Sequence, residues 1–244
     1  MRHGGESQIS RNNSMILTGA PTGTRFKEII ELDEVSAHIC DIRNGTYPPF
    51  DSLCAEETAR VRGIMPRRQQ AFAAGRWCAR RALQNIGCKA KVIPVGAHGQ
   101  PIWPTGTCGS ISHSDDWAVA LAAPSAKFRS LGVDIEAWTV LPPGLDPIID
   151  VSASERRHWA TIIPENYVSC LLFSAKESVY KAAHHIGLTS LTFEDVRIWP
   201  GSEPNTFTAS PSALQSDWLT LGPLSHGRVS IDHGHIITAF IIKC

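Results

Sequence analysis

Residues 165–186 carry the clearest periodic pattern in the chain. Their apolar side chains recur at steps of three and four: Val168, Leu171, Leu172, Ala175, Val179, Ala182, Ala183 and Ile186. This spacing lines up apolar groups along one stripe of an α-helix, and Gly187 is typical of the residue that ends a helix. The stripe must be buried against other elements, so the chain needs a partner layer for a long helix.

A second helix and several short strands are predicted elsewhere. Residues 67–86 follow helical spacing and are followed by Gly87. Short runs typical of strands occur at 36–42, 117–122, 131–136, 191–199, 205–209, 218–221, 228–232 and 236–242. Segment 94–109 is rich in Pro and Gly and predicts a loop, and 139–147 predicts a connector. Each half therefore offers one long helix and several strands, which is a mixed α and β composition.

Composition excludes several classes of protein. The 244 residues are 43% hydrophobic and 19% charged, a balance that supports a folded core and excludes disordered and fibrous chains. Lys and Arg together number 23, as do Asp and Glu, so binding to nucleic acid or membrane through bulk charge is not expected. No apolar run reaches the roughly 18 residues that span a bilayer. Residues 1–14 are polar and are expected to be a flexible extension rather than a signal peptide.

The seven cysteines are odd in number and form no Cys-x-x-Cys pair. A disulfide framework or a structural zinc site is therefore not expected. Reduced thiols and a cytoplasmic location fit this pattern best.

Positive charge is concentrated in one stretch. Between Thr58 and Ser114 there is no Asp or Glu. The same stretch carries Arg60, Arg62, Arg67, Arg68, Arg76, Arg80, Arg81, Lys89 and Lys91. A site for a polyanion such as a phosphate compound explains this segregation, and a basic solvated face without a ligand is the alternative.

A pair of carboxylates marks the second half. In Gly132-Val133-Asp134-Ile135-Glu136 the period of a strand places Asp134 and Glu136 on one face. Two such carboxylates repel each other unless a cation lies between them, and Mg²⁺ prefers oxygen ligands of this kind. A solvated acidic face is the alternative.

Three further patterns carry candidate phosphate and acid–base groups. In the long helix, Lys176, Glu177 and Lys181 can present an acid and lysines from one rigid element, although Glu177 and Lys181 also have the spacing of a surface ion pair. In the first helix, Arg76 and Arg80 share a face beside Gly75. This arrangement would let a phosphate approach the helix closely, and a solvated arginine face is the alternative.

The stretch Gly109-Ser110-Ile111-Ser112-His113 ends the Gly- and Pro-rich loop. Ser112 and His113 offer donors to a phosphate there, and a structural histidine is the alternative. The pattern lacks the Gly-x-Ser-x-Gly signature of a hydrolase nucleophile.

Taken in order, these motifs resemble the 4′-phosphopantetheinyl transferases, most closely the enterobactin-synthetase component D type that serves siderophore and nonribosomal peptide synthesis. The matching stretches are Arg68 to Leu83, Pro101-Ile102-Trp103-Pro104, Gly109 to His113, Gly132 to Glu136 and Phe173 to Ala182. Each stretch is modest alone, but the ordered set is specific and covers about half of the chain.

The resemblance implies an α+β fold of two similar α/β lobes with pseudo-two-fold symmetry, each a long helix against a small, mostly antiparallel sheet. We place the lobes at 15–125 and 126–244, with coenzyme A between them. The implied activity is transfer of the 4′-phosphopantetheine arm of coenzyme A to a serine of an apo acyl, aryl or peptidyl carrier protein. The reaction releases 3′,5′-ADP and needs Mg²⁺, with Mn²⁺ as the alternative ion. A monomer that binds neither nucleic acid nor membrane is expected.

The resemblance also implies roles for individual residues. The metal-binding acids are Asp134, Glu136 and Glu177, and the catalytic groups are Asp134, Glu177 as general base and Lys181. The residues expected to bind the coenzyme are Arg68, Arg76, His98, Ser112, His113, Lys176 and Lys181.

One position departs from the family. Family members often carry Lys or Arg before the Pro-x-Trp-Pro stretch, whereas this chain reads His98-Gly99-Gln100. We expect His98 to replace that residue at the 3′-phosphate, with weaker binding when its ring is neutral. Two other functions stay open at this point: a Mg²⁺-dependent nucleotide phosphohydrolase, and a catalytically silent module that binds carrier proteins.

Overall fold

The structure is a computed structural model that describes residues 34–44, 47–59, 61, 63, 65–142, 144–212 and 225–244. The expected N-terminal extension at 1–14 and the strand expected at 218–221 lie outside these residues. Among the described residues, no helix is long and apolar enough to cross a membrane.

Helices and antiparallel strands share the described part of the chain. The helices are α1 (Ala55–Thr58), α2 (Pro66–Asn85), α3 (Asp146–Ile149), α4 (Ala153–Trp159) and α5 (Val168–His185). The strands are β1 (Ser36–Asp41), β2 (Thr107–His113), β3 (Trp117–Pro124), β4 (Phe128–Ala137), β5 (Val196–Pro200), β6 (Thr206–Pro211), β7 (Ser225–Asp232) and β8 (His235–Lys243). Three short 3₁₀ turns occupy Phe50–Ser52, Glu165–Tyr167 and Phe193–Asp195.

The strands form two antiparallel sheets. The first has three strands in the order β1-β3-β2, and the second has five in the order β4-β8-β7-β6-β5. This mixed helix and antiparallel-sheet architecture confirms the predicted α+β class, with one long helix for each sheet.

The two sheets and the two long helices form four layers. Alternate residues of β3 divide between two cores: Ala118, Ala120 and Ala122 pack with α2, whereas Val119, Leu121 and Ala123 pack with β4 and β8. In β8, Ile236, Phe240 and Ile242 pack with α5, whereas Ile237, Ala239 and Ile241 face the first sheet. The order of layers is therefore α2, first sheet, second sheet, α5. Because strand side chains alternate, each central strand serves two cores.

Helix α5 lies directly on β4 because Gly132 has no side chain. A Cβ at Gly132 would lie 1.8 Å from the carbonyl oxygen of Ser178 and 2.8 Å from the backbone nitrogen of Ala182. A residue with any side chain would push the helix away. This contact sets the distance between β4, which carries Asp134, and the helix that carries Lys181.

Local signals predicted the long elements better than the short ones. The two long helices lie within a few residues of their expected bounds. The strand expected at 191–199 begins only at Val196, because Thr192 and Asp195 cap a 3₁₀ turn before it. Helix α4 was not predicted, although Ser152 and Glu155 form a capping box at its start.

Candidate active site

Three polar side chains from different elements meet where the end of β2 reaches β4 and α5. The ammonium nitrogen Nζ of Lys181 donates to Oδ1 of Asp134 at 2.7 Å and to the hydroxyl of Ser112 at 3.0 Å. The Ser112 hydroxyl also donates to Oδ1 of Asp134 at 2.9 Å. We call Ser112, Asp134 and Lys181 the Asp134 cluster. It joins β2, β4 and α5 in one hydrogen-bonded unit.

The approach of β2 to β4 brings Ser112 to Asp134. The backbone N–H of Val133 donates to the Ser110 hydroxyl at 3.0 Å, so the two strands are linked through a side chain. Ser112 lies two residues beyond Ser110, and the alternation of a strand returns it to the same face of β2. The linkage therefore places the β2 serines along the strand that carries the carboxylates.

Asp134 is buried, Glu136 and Glu177 are half-buried, and the three carboxylates perturb one another. Asp134 is 2% exposed, and its second oxygen Oδ2 is buried without a hydrogen-bond partner. Burial, and then the neighbouring charge of Asp134, raises the pKa of Glu136 to about 7. Burial also raises the pKa of Glu177, against the lowering effect of Lys181. All three acids therefore lie within electrostatic reach of one another, and a cation would stabilise their ionised forms.

The donor set fits a hard cation, but the acids do not form a complete coordination group. Ionised carboxylates only accept hydrogen bonds, and the unpartnered Oδ2 of Asp134 faces an environment that supplies no proton donor. Among the residues that the structure describes, no group of three or more His, Cys, Asp or Glu side chains is arranged to hold a metal ion. The geometry brings Asp134 and Glu136 together on β4 and leaves Glu177 at electrostatic distance on α5.

Arg76 is almost fully enclosed. It is 4% exposed, its guanidinium carbon lies 4.4 Å from the ring centroid of Phe72, and its Nε and Nη2 have no hydrogen-bond partner. Burial lowers its pKa to about 10, while the charge of Glu57 opposes that change. Buried donors without partners are costly, so an acceptor from a ligand would stabilise this side chain.

Arg68 and His113 lie close enough to influence each other. Arg68 is exposed on the first turn of α2, and His113 is an exposed residue at the end of β2. Partial desolvation lowers the pKa of His113, and the positive charges of Lys181 and Arg68 lower it further. These groups therefore form the positive edge of the Asp134 cluster.

Lys176 does not take the position expected from the sequence. Its side chain is fully buried, and its Nζ donates to the carbonyl oxygens of Ile149 at 2.9 Å, Asp150 at 2.9 Å and Phe193 at 3.1 Å. Three carbonyl acceptors satisfy all three of its protons. The expected contact between Lys176 and the diphosphate therefore does not fit this geometry, because its ammonium group holds α5 to the loops after α3 and before β5.

A cavity of about 270 Å³ opens beside the cluster. Its lining residues are His98, Gly99, Gln100, Pro101, Gly109, Ser110, Ile111, Tyr180, Lys181, His184 and His185. Lys181 belongs both to this cavity and to the Asp134 cluster, so the two are continuous. His98, expected at a phosphate, lies in the lining, whereas Arg68, Arg76 and His113 are not part of it.

Four lining residues of this cavity lie on α5, and sequence reasoning named only Lys181 of them as a site residue. The other three are Tyr180, which precedes Lys181 on this helix, and His184 and His185, which follow it. The signal was present, because His184 and His185 follow Lys181 by three and four residues, the spacing that shares a helix face.

Models of known families match this chain in two successive stretches. Residues 56–123 match the 4′-phosphopantetheinyl transferase N-terminal domain, and residues 130–231 match the 4′-phosphopantetheinyl transferase superfamily. The two stretches meet at the turn between β3 and β4.

Similar proteins extend the match over most of the chain. The 4′-phosphopantetheinyl transferase Npt of Nocardia iowensis is 31% identical over 235 residues, which cover 92% of this chain and 98% of the relative. The 4′-phosphopantetheinyl transferase PptT of Mycobacterium tuberculosis is 30% identical over 203 residues, or 80% of this chain and 88% of the relative. Enterobactin synthase component D of Salmonella typhi is 35% identical over 152 residues, or 59% of this chain and 61% of the relative. This similarity over nearly the full length of both chains shows that the chain belongs to the 4′-phosphopantetheinyl transferase superfamily.

Proposed function

We propose that this protein transfers the 4′-phosphopantetheine arm of coenzyme A to a serine hydroxyl of an apo acyl, aryl or peptidyl carrier protein. The carrier's serine oxygen forms a bond to the phosphorus of the phosphopantetheine arm. The bond from that phosphorus to the bridging oxygen of the diphosphate breaks, and 3′,5′-ADP leaves. The Asp134 cluster with the adjacent cavity is the observation that carries the proposal, because together they supply an acid, a lysine and space for a nucleotide at one point.

Asp134 and Glu136 would hold a divalent cation, Mg²⁺ or Mn²⁺, and Glu177 would complete the set after a small shift of α5. A bound cation would neutralise charge on the diphosphate and polarise the attacked phosphorus. The unpartnered Oδ2 of Asp134 and the raised pKa of Glu136 support this assignment, since both groups gain from a nearby positive charge.

Glu177 is the proposed general base that accepts the proton of the carrier's serine. Its raised pKa brings it closer to neutral pH, where a base is most effective. Lys181 is the proposed partner of the leaving diphosphate, because its Nζ already bridges Asp134 and Ser112 at the mouth of the cavity. A lysine at that point would neutralise the charge that develops on 3′,5′-ADP.

The nucleotide end of coenzyme A would be held mainly by the first lobe. Arg76 contributes buried donors, Arg68 and His113 contribute positive charge, and His98 faces the cavity. Under this proposal the lobe at 15–125 grips the coenzyme, and the lobe at 126–244 contributes the metal ligands and the base. Ser112 belongs to both functions, since it orients Lys181 and lies at the diphosphate position.

The partners follow from the same proposal. The relatives include enterobactin synthase component D, so carrier domains of nonribosomal peptide or siderophore synthesis are the proposed acceptors. Carrier proteins of polyketide or fatty-acid synthesis are alternatives with the same chemistry. The protein is proposed to act in the cytoplasm as a monomer, and its free cysteines are consistent with a reducing compartment.

Intact mass spectrometry of an apo carrier protein tests the proposal. After incubation with the protein, coenzyme A and Mg²⁺, the carrier should gain the mass of one phosphopantetheine group, and 3′,5′-ADP should appear in equal amount. Release of 3′,5′-ADP without a carrier would instead indicate a nucleotide phosphohydrolase. A carrier that binds the protein but keeps its mass would indicate a silent binding module.

A further inference from the structure

The cavity beside Lys181 has an unusual set of ionisable groups. Its lining includes the histidines His98, His184 and His185 together with Lys181, and none of the described residues that line it is Asp or Glu. Imidazole and ammonium groups can donate hydrogen bonds to an anion, and no carboxylate among these described lining residues opposes one. A multiply charged anion is the class of ligand that such a lining favours.

Two of the histidines pack edge-on against each other in the cavity lining. The ring centroids of His98 and His184 are 6.1 Å apart, with an edge-on arrangement of the rings. His98 comes from the loop before β2, whereas His184 lies on the last turn of α5. Two imidazoles from separate elements therefore converge on one space, and the Tyr180 ring packs 6.1 Å from His184 on the other side.

Helix α5 sets the spacing between Lys181 and His184. Three residues of helix rise by about 4.5 Å. Coenzyme A carries a diphosphate on the 5′ oxygen of its ribose and a phosphate monoester on the 3′ oxygen, and only C5′, C4′ and C3′ separate these two oxygens. A diphosphate at Lys181 would therefore leave the 3′-phosphate within reach of the next turn of the helix.

We propose that His184 is a further coenzyme-binding residue of this protein, which contacts the 3′-phosphate beside His98. This inference rests on the proposed function, because it takes coenzyme A as the ligand. The two imidazoles form a clamp that selects a phosphate monoester over a free 3′ hydroxyl. Nothing in the sequence motifs assigned His184 this role.

The surroundings of His184 determine how the clamp depends on pH. The titratable groups around it are Tyr180, Lys181 and His185 of α5 and His98 of the facing loop. Burial, and then the neighbouring His184, lowers the pKa of His185, so His185 is the poorer proton acceptor. A phosphate monoester, which loses its second proton near pH 6, attracts protons to His98 and His184. Coenzyme A should therefore bind with uptake of protons, and affinity should fall as pH rises toward 8.

Calorimetry with coenzyme A and dephospho-coenzyme A tests this contact. The variant His184→Ala should bind coenzyme A about tenfold more weakly at pH 6, since hydrogen bonds between charged groups are strong. At pH 8 the loss should shrink to about threefold or less, because fewer imidazoles are protonated there. Binding of dephospho-coenzyme A should change by less than about twofold at either pH, since the contacted phosphate is missing.

Two matched variants separate this role from a structural one. His184→Lys keeps a positive charge at all of these pH values and should bind coenzyme A at pH 8 at least as well as the wild type. His158→Ala removes an exposed histidine on α4, outside the cavity, and should leave both affinities unchanged. Thermal unfolding of each variant reports whether the fold is kept.

Two results would overturn the inference: equal losses for both ligands in His184→Ala, or no loss for either. Failure of the wild type to modify an apo carrier is a different outcome, which removes the proposed function itself. A wild type that modifies the carrier, with His184→Ala showing unaltered selectivity, overturns only the role of His184.

Discussion

In the N-terminal half, α2 packs on its sheet mostly through small side chains, whereas α5 packs on its sheet through both small and large ones. Besides Arg76, the buried residues of α2 are Ala71, Ala73, Ala74, Gly75, Cys78, Ala79, Ala82 and Leu83. They meet the alanines of β3. The buried face of α5 includes Val168, Leu171, Leu172 and Val179. Small contacts let α2 approach its sheet closely, since a Cβ at Gly75 would lie 2.8 Å from Cγ2 of Ile111 on β2.

The two halves also differ in the buried polar atoms that lack a partner near the site. Arg76 has two such donors, Nε and Nη2, and Asp134 has one such acceptor, Oδ2. Leaving a buried group unsatisfied costs about 1–3 kcal/mol of folding free energy, and more for a charged one. An anion would satisfy the unpartnered donors of the first half, and a cation would satisfy the unpartnered acceptor of the second. Strands β2 and β4 bring the two halves together.

The largest expected effect on activity comes from removing the Asp134 carboxylate in the second half. Asp134→Ala should reduce carrier modification by about 100-fold or more, because it removes a cation ligand and the partner of Lys181. The fold should persist, since the variant also relieves the repulsion between Asp134 and Glu136. Turnover measured across a Mg²⁺ titration checks this, with thermal unfolding as the control. Unchanged activity at limiting Mg²⁺ would remove the metal assignment.

A matched pair of substitutions compares two arginines one helical turn apart. Arg80→Met should lower the free energy of unfolding by about 3 kcal/mol. The reason is that Arg80 donates to the buried Glu57 at 2.7 Å. Arg76→Met should leave that free energy unchanged or raise it by about 1 kcal/mol, because it removes an unpaired buried charge. Urea unfolding of both variants measures the difference. Equal destabilisation would mean that Arg76 is structural.

The same Arg76 substitution should weaken ligand binding. Without its guanidinium, coenzyme A should bind about tenfold more weakly, and dephospho-coenzyme A should lose less. Calorimetry with both ligands provides the measurement. A common loss would assign Arg76 to the diphosphate instead of the 3′-phosphate.

The smallest effect concerns the stability of the metal-free protein as pH changes. The pKa of Glu136 is raised from 4.5 to about 7, so the folded state holds an extra proton between these values. Stability should therefore fall as pH rises from about 5 to 7 and level off above, by about 1 kcal/mol after allowing for solvent screening. Glu136→Gln should lack this slope in urea unfolding without Mg²⁺. A slope that persists in the variant would assign it to another group.

Local sequence patterns were sufficient to predict features that depend on a single helix or strand. The stripe of α5 and its stop at Gly187 predicted a helix whose observed end, His185, lies one turn or less away. The sequence also indicates that Lys176 and Lys181 point in different directions, because residues five apart on a helix are rotated by about 140° from each other. Grouping both lysines at one site overlooked this rotation, whereas Glu177 and Lys181 differ by only about 40°.

The sequence motifs by themselves determined the family and most of the chemistry, because the side chains that bind a diphosphate and a cation belong to few residue types at recognisable spacings. Only the tertiary structure decided which of these groups meet. The approach of β2 to β4, the enclosure of Arg76 and the pairing of His98 with His184 join residues far apart in the chain. Their positions depend on close packing at points such as Gly132, where the missing side chain sets the distance between layers. Local periodicity carries no information about such distances, because it describes only which face of its own element a residue occupies.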